Sequence, residues 1–184
     1  MFIRSERLFL RPAFPEDAPA ILAGINDAAL VRQLASAPWP YRMEDARRFA
    51  ARPQDGAAPH FLVTLPGSPG APVIGAAGLV RHAEALELGF WIARGWWGHG
   101  FATEAAHAVL EIAGMLGHRQ LAAARFADNP ASGRVLEKVG FAPTGQAMPR
   151  FSCARRQDAP ALAYRWSATG NGQQGRAAFD SAAA

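Results

Sequence analysis

Along this chain the apolar residues alternate with polar ones in some stretches and recur every three or four positions in others, and the change of period marks out elements. Leu8-Phe9-Leu10, set between Arg7 and Arg11 and closed by Pro12, reads as a first strand. Pro15-Glu16-Asp17 reads as a turn and helix start. Residues 18–34 are Ala- and Leu-rich, with spacing for one or two helices broken near Asn26-Asp27. Pro38-Trp39-Pro40 is a rigid break, and residues 43–51 read as a short helix with Arg47 and Arg48 outward. A three-strand meander follows over residues 60–65, 73–80 and 85–93. Its second strand is weakened by Gly75 and Gly78, and a loop of turn residues, Pro66 to Pro72, joins the first two. A glycine-punctuated turn then leads into a helix over residues 102–116, for which Gly117 is a suitable C-cap. Gln120 to Phe126 reads as a buried strand, Asp128-Asn129-Pro130 as a turn, and residues 131–139 as a helix ended by Gly140. Strand, helix, strand, helix in that order implies a parallel crossover. Phe141 begins a strand or extended segment, and residues 159–166 read as the last strand. The pattern predicts a single α/β (α+β) domain over residues 1–166. Residues 167–184, Gly-, Gln- and Ala-rich with little to bury, are expected to form a disordered tail.

Composition narrows the picture. A chain of 184 residues, half of them apolar, can build one core. The net charge of +4 comes from scattered residues, which favours a solvated surface over nucleic-acid binding. Cys153 stands alone, so an internal disulfide is excluded and a reducing cytoplasm is the expected compartment. The first residues carry no secretory signature, and no apolar run is long enough to span a membrane. His60, His82, His99, His107 and His118 show no metal-ligand spacing with Cys153 or with carboxylates, so no metal is expected.

The chemistry concentrates at Arg94-Gly95-Trp96-Trp97-Gly98-His99-Gly100-Phe101, where a strand end meets a helix start. A helix start leaves unpaired N–H groups and the positive end of a dipole. Gly98 and Gly100 let backbone amides approach a ligand closely, which makes the turn a cradle for an anion such as a diphosphate. The turn lacks the Gly-Lys-Ser/Thr ending with which a P-loop holds phosphate and magnesium, which disfavours a nucleoside-triphosphate enzyme.

Four segments, in this order and spacing, resemble the GNAT acetyltransferases, and among them the ribosomal-protein N-acetyltransferases of the RimJ/RimL type. They are Glu6 to Pro12 with Asp17, Glu87 to Ile92, Trp97 to Ala105, and Asn129 to Phe141. The resemblance implies a GNAT fold, a mixed central sheet splayed in its middle and flanked by helices, with acetyl-coenzyme A as co-substrate wedged into the gap. It implies that Arg94, Gly95, Trp97, Gly98, His99, Gly100 and Phe101, with Ala102 and Thr103 of the first helical turn, receive the pyrophosphate. The strand edge at Ile92 and Ala93 would pair with the pantetheine arm, Asn129 and Ser132 would lie near the arm and sulfur, and Arg134 would reach the cofactor. Many relatives carry Gln or Arg where Gly95 stands, and Lys or Arg in place of His99.

The implied reaction moves an acetyl group from a thioester to a primary amine, either a peptide N-terminus or a small molecule. The amine must attack neutral. An α-amino group with pKa ~8 is roughly one-tenth neutral near pH 7, a cost of about 1.4 kcal/mol, whereas a lysine-like amine costs about 4–5 kcal/mol. Glu87 is the candidate base; its other reading is a solvent-facing strand carboxylate. Ser132 is the candidate donor to the departing thiolate; its other reading is helix capping beside Asn129. A monomer or a homodimer is compatible with an exposed sheet edge. The competing reading is a non-catalytic acyl-CoA-binding regulatory module. Glu87, Asn129 and Ser132 occurring together favour the enzyme.

Overall fold

The structure, a computed structural model, describes residues 1–82 and 85–168. Eight strands form one sheet in the order β1-β2-β3-β4-β5-β6-β8-β7. The strands are β1 (Ile3–Arg4), β2 (Phe9–Arg11), β3 (His60–Thr64), β4 (Val73–His82), β5 (Ala85–Ile92), β6 (Gln120–Phe126), β7 (Ala142–Ser152) and β8 (Gln157–Ser167). Neighbours are antiparallel except β5 and β6, which run parallel because α4 (Phe101–Met115) connects them as a crossover. The helices α1 (Ala18–Ile25), α2 (Ala28–Val31) and α3 (Met43–Ala50) lie between β2 and β3, and α5 (Pro130–Lys138) follows β6. The result is a mixed sheet flanked by helices. No helix among the described residues is long and apolar enough to cross a membrane.

The burial pattern follows from two-sided coverage. All five residues of β3 are buried, as expected of a strand with helices on both faces. On one face Phe61, Val63, Ile74, Leu79 and Leu88 pack with Ala105, Val109 and Ala113 of α4 and Leu136 of α5. On the other, Leu62, Ala76 and Trp91 pack with Ile21 and Ile25 of α1 and Ala46 and Ala50 of α3. The alanines of α4 bring its backbone close to the sheet, which sets how its N-terminus meets the end of β5.

Three sequence expectations are corrected, and a fourth, the strand or extended segment from Phe141, gains its extent. Leu8-Phe9-Leu10 supplies the second strand, not the first: Ile3–Arg4 pairs with Phe9–Leu10 ahead of it. Gly75 and Gly78 do not weaken β4. A Cβ at Gly78 would lie 2.5 Å from the His60 Cα, and one at Gly75 would meet the Trp91 carbonyl, so both residues permit close pairing. The stretch after Phe141 is an eleven-residue edge strand carrying Pro143 and Pro149, which an edge tolerates because one side of its backbone needs no ladder partner. Ser167, assigned to the tail, is the last residue of β8 and pairs with Gln120; the rest of the expected tail, from residue 169, lies outside the described residues.

Candidate active site

β5 and β6 share a single parallel bridge, Glu87 with Ala122. Beyond it toward Ile92 and Phe126 the two strands part, opening a gap in the middle of the sheet. The ladder with β4 fixes which backbone groups face that gap. Ala93 donates its N–H to the Ile74 carbonyl at 2.8 Å, so by antiparallel alternation Trp91 and Gly89 also face β4, and Phe90 and Ile92 face the gap. The Ile92 carbonyl is already engaged, accepting from the Trp97 indole Nε1 at 2.6 Å. The open edge is therefore Phe90 and the Ile92 N–H, with Ala93 turned away.

At the end of β5 a 3-10 turn, Arg94–Trp96, leads through Trp97 to Gly100, and α4 begins. Gly98 and Gly100 have φ of 82° and 81°, the left-handed region that other residues enter at a cost. No side chain caps α4, and its first bond runs from the Glu104 N–H to the Gly100 carbonyl at 3.1 Å. The amides of Phe101, Ala102 and Thr103 thus have no partner among the described residues, which leaves the positive end of a fifteen-residue helix open to an anion.

Glu104 in that first turn does not compete for these amides, because it points back to the β1–β2 turn. It accepts from the Arg7 N–H and the Ser5 hydroxyl, each at 2.7 Å, and pairs with the Arg7 guanidinium at 2.8 Å. Burial alone would raise its pKa, but these bonds outweigh burial and hold it below the ordinary carboxylate value. Arg7 also donates to the His99 carbonyl at 3.0 Å and lies 4.7 Å over the Phe101 ring, bracing the turn from behind. The sequence signal for this role of Arg7 is only a basic residue just before the first apolar run.

The other site residues are placed as follows. Arg94 turns its guanidinium to Asp27, at 3.2 Å, and not into the turn. The His99 Nδ1 sits 2.9 Å from the Trp97 carbonyl. Arg134 is exposed on α5, with no side-chain partner among the described residues. Asn129 is the N-cap of α5: its Oδ1 accepts from the Ser132 N–H at 3.2 Å and its Nδ2 donates to the Ser132 hydroxyl at 2.8 Å. Ser132 therefore takes part in the cap as an acceptor and keeps its own O–H proton available to donate.

On the α1/α3 face the sheet forms the floor of a cavity of about 930 Å³. Gly78 and Gly89, neighbours in the β4–β5 ladder, leave that floor without side chains. Tyr41, Phe49 and Phe151 wall it. Asn129 and Ser132, carried by a helix whose buried residues pack on the opposite face, also line it. The cavity therefore reaches through the gap and connects the two faces of the sheet.

Glu87 stands at the vertex of this gap. It is not a solvent-facing carboxylate: its side chain is 17% exposed and ion-paired with Arg150 of β7 at 2.7 Å. His60, on the same floor, was considered from sequence only as a metal ligand. It is buried, its Nε2 lies 3.2 Å from the Gln54 amide nitrogen, and burial followed by the charge of Arg52 lowers its pKa. Burial, with a smaller contribution from Asp45, pushes the Tyr41 phenol up to about 12, so it stays protonated at neutral pH.

The tip of the β7–β8 hairpin is fastened to residues that line the cavity. Arg155 donates to the Arg32 carbonyl at 2.9 Å and to Asp128 at 2.9 Å, and lies 4.7 Å over the Phe126 ring. The Cys153 N–H bonds the Ala35 carbonyl at 2.8 Å. Among the described residues no group of three or more metal-ligating side chains comes together.

A family model described as an acetyltransferase (GNAT) domain matches residues 7–142. No curated protein matches the chain by sequence. Among solved structures, the acetyltransferase (GNAT family) from Bacillus anthracis is similar with a TM-score of 0.76 at 23% identity, covering 91% of this chain and 98% of that one. RimL, a ribosomal L7/L12 alpha-N-protein acetyltransferase in complex with coenzyme A, is similar with a TM-score of 0.73 at 19% identity, covering 91% and 98%. The microcin C7 self-immunity acetyltransferase MccE, in complex with acetyl-CoA and AMP, is similar with a TM-score of 0.73 at 16% identity, covering 89% and 93%. At these identities the structural likenesses speak to the fold.

Proposed function

This chain belongs to the GNAT acetyltransferase family, and on that premise we propose that it transfers an acetyl group from acetyl-CoA to a primary amine by direct attack of the amine on the thioester. One observation carries the reading: the cavity passes through the sheet at the place where β5 and β6 part, so a donor entering from the α4 side and an acceptor entering from the α1/α3 side meet at Glu87. The free amides of Phe101, Ala102 and Thr103, with the loop at Gly98 and Gly100, suit the diphosphate of the donor, and Phe90 and the Ile92 N–H suit its amide-bearing arm.

Acetyl-CoA supplies an activated acyl carbon. The amine nitrogen forms a bond to it and the bond to sulfur breaks. Glu87, directly or through water, takes the proton the amine loses. Ser132 donates a hydrogen bond from its hydroxyl to the departing thiolate, which takes up its proton from solvent, while the Asn129 amide holds the oxygen in place. Holding the two reactants in line through the sheet supplies the larger part of the acceleration, several kcal/mol. The four sequence segments support a place beside the ribosomal-protein acetyltransferases within the family, and the expected setting is the cytoplasm.

A thiol-release assay with acetyl-CoA and a panel of small amines and peptides beginning with Ala, Ser or Met tests this reading. Amine-dependent release is expected. Tight binding of coenzyme A with no release on any amine would favour the regulatory module.

A further inference from the structure

Two carboxylates line the cavity among the described residues, Asp45 and Glu87, and each is already paired with an arginine: Asp45 with Arg48 at 3.1 Å, Glu87 with Arg150 at 2.7 Å. Two further arginines lining it, Arg52 and Arg125, have no carboxylate partner there. Arg125 donates through Nε to the Tyr164 hydroxyl and through Nη1 to the carbonyls of Phe126 and Ala127. An amine arriving as an ammonium thus meets a cationic cavity, and the carboxylate at the vertex of the gap is available to it only by displacing Arg150.

That exchange has a consequence for what the amine must carry. Arg150 is only 24% exposed, and its pairing with Glu87 uses one nitrogen, Nη1. Its Nε and Nη2 have no hydrogen bond among the described residues. If the ammonium takes Glu87, Arg150 is left a half-buried cation without a counter-charge, which is costly. An acceptor with an oxyanion close to its nitrogen removes that cost: the nitrogen goes to Glu87 and the oxyanion to the guanidinium, whose planar fork suits a carboxylate. The pair is exchanged for two new pairs at the same place, and both charges stay compensated.

We infer that the acceptor is an amine carrying a carboxylate or similar oxyanion beside the nitrogen, and that Arg150 is the residue that reads it. This rests on the acetyltransferase reading above. The shared chemistry occurs in a free α-amino acid and in a peptide whose first residue is Asp or Glu; a peptide with a neutral first residue lacks it.

The test compares kcat/KM, expressed per neutral amine, for matched acid and amide acceptors. One pair is a free amino acid and its carboxamide; the other is two peptides differing only in Asp or Asn at the first position. Each is run on the intact chain and on the variants Arg150→Gln and Arg150→Lys. The acid member of at least one pair is expected to be favoured about ten- to hundred-fold, the pair that responds identifying the source of the oxyanion. Arg150→Gln is expected to bring that ratio near one, and Arg150→Lys to restore part of it. A purely structural role for Arg150 would depress acid and amide alike and leave the ratio unchanged. Equal or amide-favouring rates in both pairs, or a ratio indifferent to Arg150→Gln, overturn the inference and leave acetyl transfer standing. No thiol release with any amine overturns acetyl transfer itself and this inference with it.

Discussion

At Glu87 two facts of position coincide. It makes the last bridge before β5 and β6 part, and its carboxylate is held by Arg150 instead of water. A base at that point works on the amine proton where donor and acceptor meet. Glu87→Gln keeps the shape and removes the proton acceptor. Its kcat/KM is expected to fall about a hundred-fold at neutral pH and to recover as pH rises, because the amine then arrives already neutral; a pH-rate profile checks this. Full rate at every pH would remove Glu87 from the chemistry. The sequence placed Glu87 on the right strand, since the β5 pattern is clear. Its choice between catalysis and solvent stayed open because the residue that pairs with it, Arg150, lies 63 positions away. The place of His60 in the cavity lining is hidden for the same reason: nothing local marks a strand histidine as the floor of a cavity.

Among the elements, α4 bears most of the design. Its capping groups are supplied by nothing of its own, while Glu104 ties its first turn to the β1–β2 turn through Arg7 and Ser5. The partly buried pair of Arg11 with Asp17, at 2.7 Å, ties β2 to the start of α1 in the same way. Asp17 is held below the ordinary carboxylate value first by the Arg11 bond, which outweighs burial, with help from the Phe14 N–H. A carboxyl with a depressed folded pKa contributes stability that is complete above its unfolded value and is lost as pH falls toward the folded one. The fold is therefore expected to lose stability below about pH 4. Asp17→Asn, which leaves Arg11 unpaired, is expected to cost about 3 kcal/mol at neutral pH and to flatten the acid limb of a denaturation series. An unchanged limb would contradict it. Elements with strong periodicity, α4, β6 and α5, were legible from sequence to within one or two residues. β1, with two residues, was not, and β7 was legible as a strand or extended segment but not in its extent, because it is an edge with prolines and almost no buried side to impose alternation.

At the scale of the molecule, two half-sheets meet at one bridge and are held elsewhere by helices and by the β7–β8 hairpin, whose Arg150 and Phe151 line the cavity. Arg155 fastens that hairpin to the end of α2 and to the turn before α5. Arg155→Ala is expected to raise the acceptor KM about three- to ten-fold, consistent with the loss of charge-assisted bonds partly screened by water. Its affinity for coenzyme A should be unchanged, since the α4 turn lies apart from it; calorimetry beside steady-state kinetics separates the two. The gap, and the way through the sheet that it opens, were available from sequence only through resemblance, because a sheet's splay is a relation between strands that no single strand's pattern encodes.

The uncapped start of α4 holding a diphosphate, and so aiming a thioester at the fork, is tested most directly by calorimetric titration of the intact chain with coenzyme A and, separately, with pantetheine, which lacks the diphosphate. Coenzyme A is expected to bind, and pantetheine to bind about a hundred-fold more weakly or not at all. Equal affinity for the two, or no heat with coenzyme A, would contradict the account.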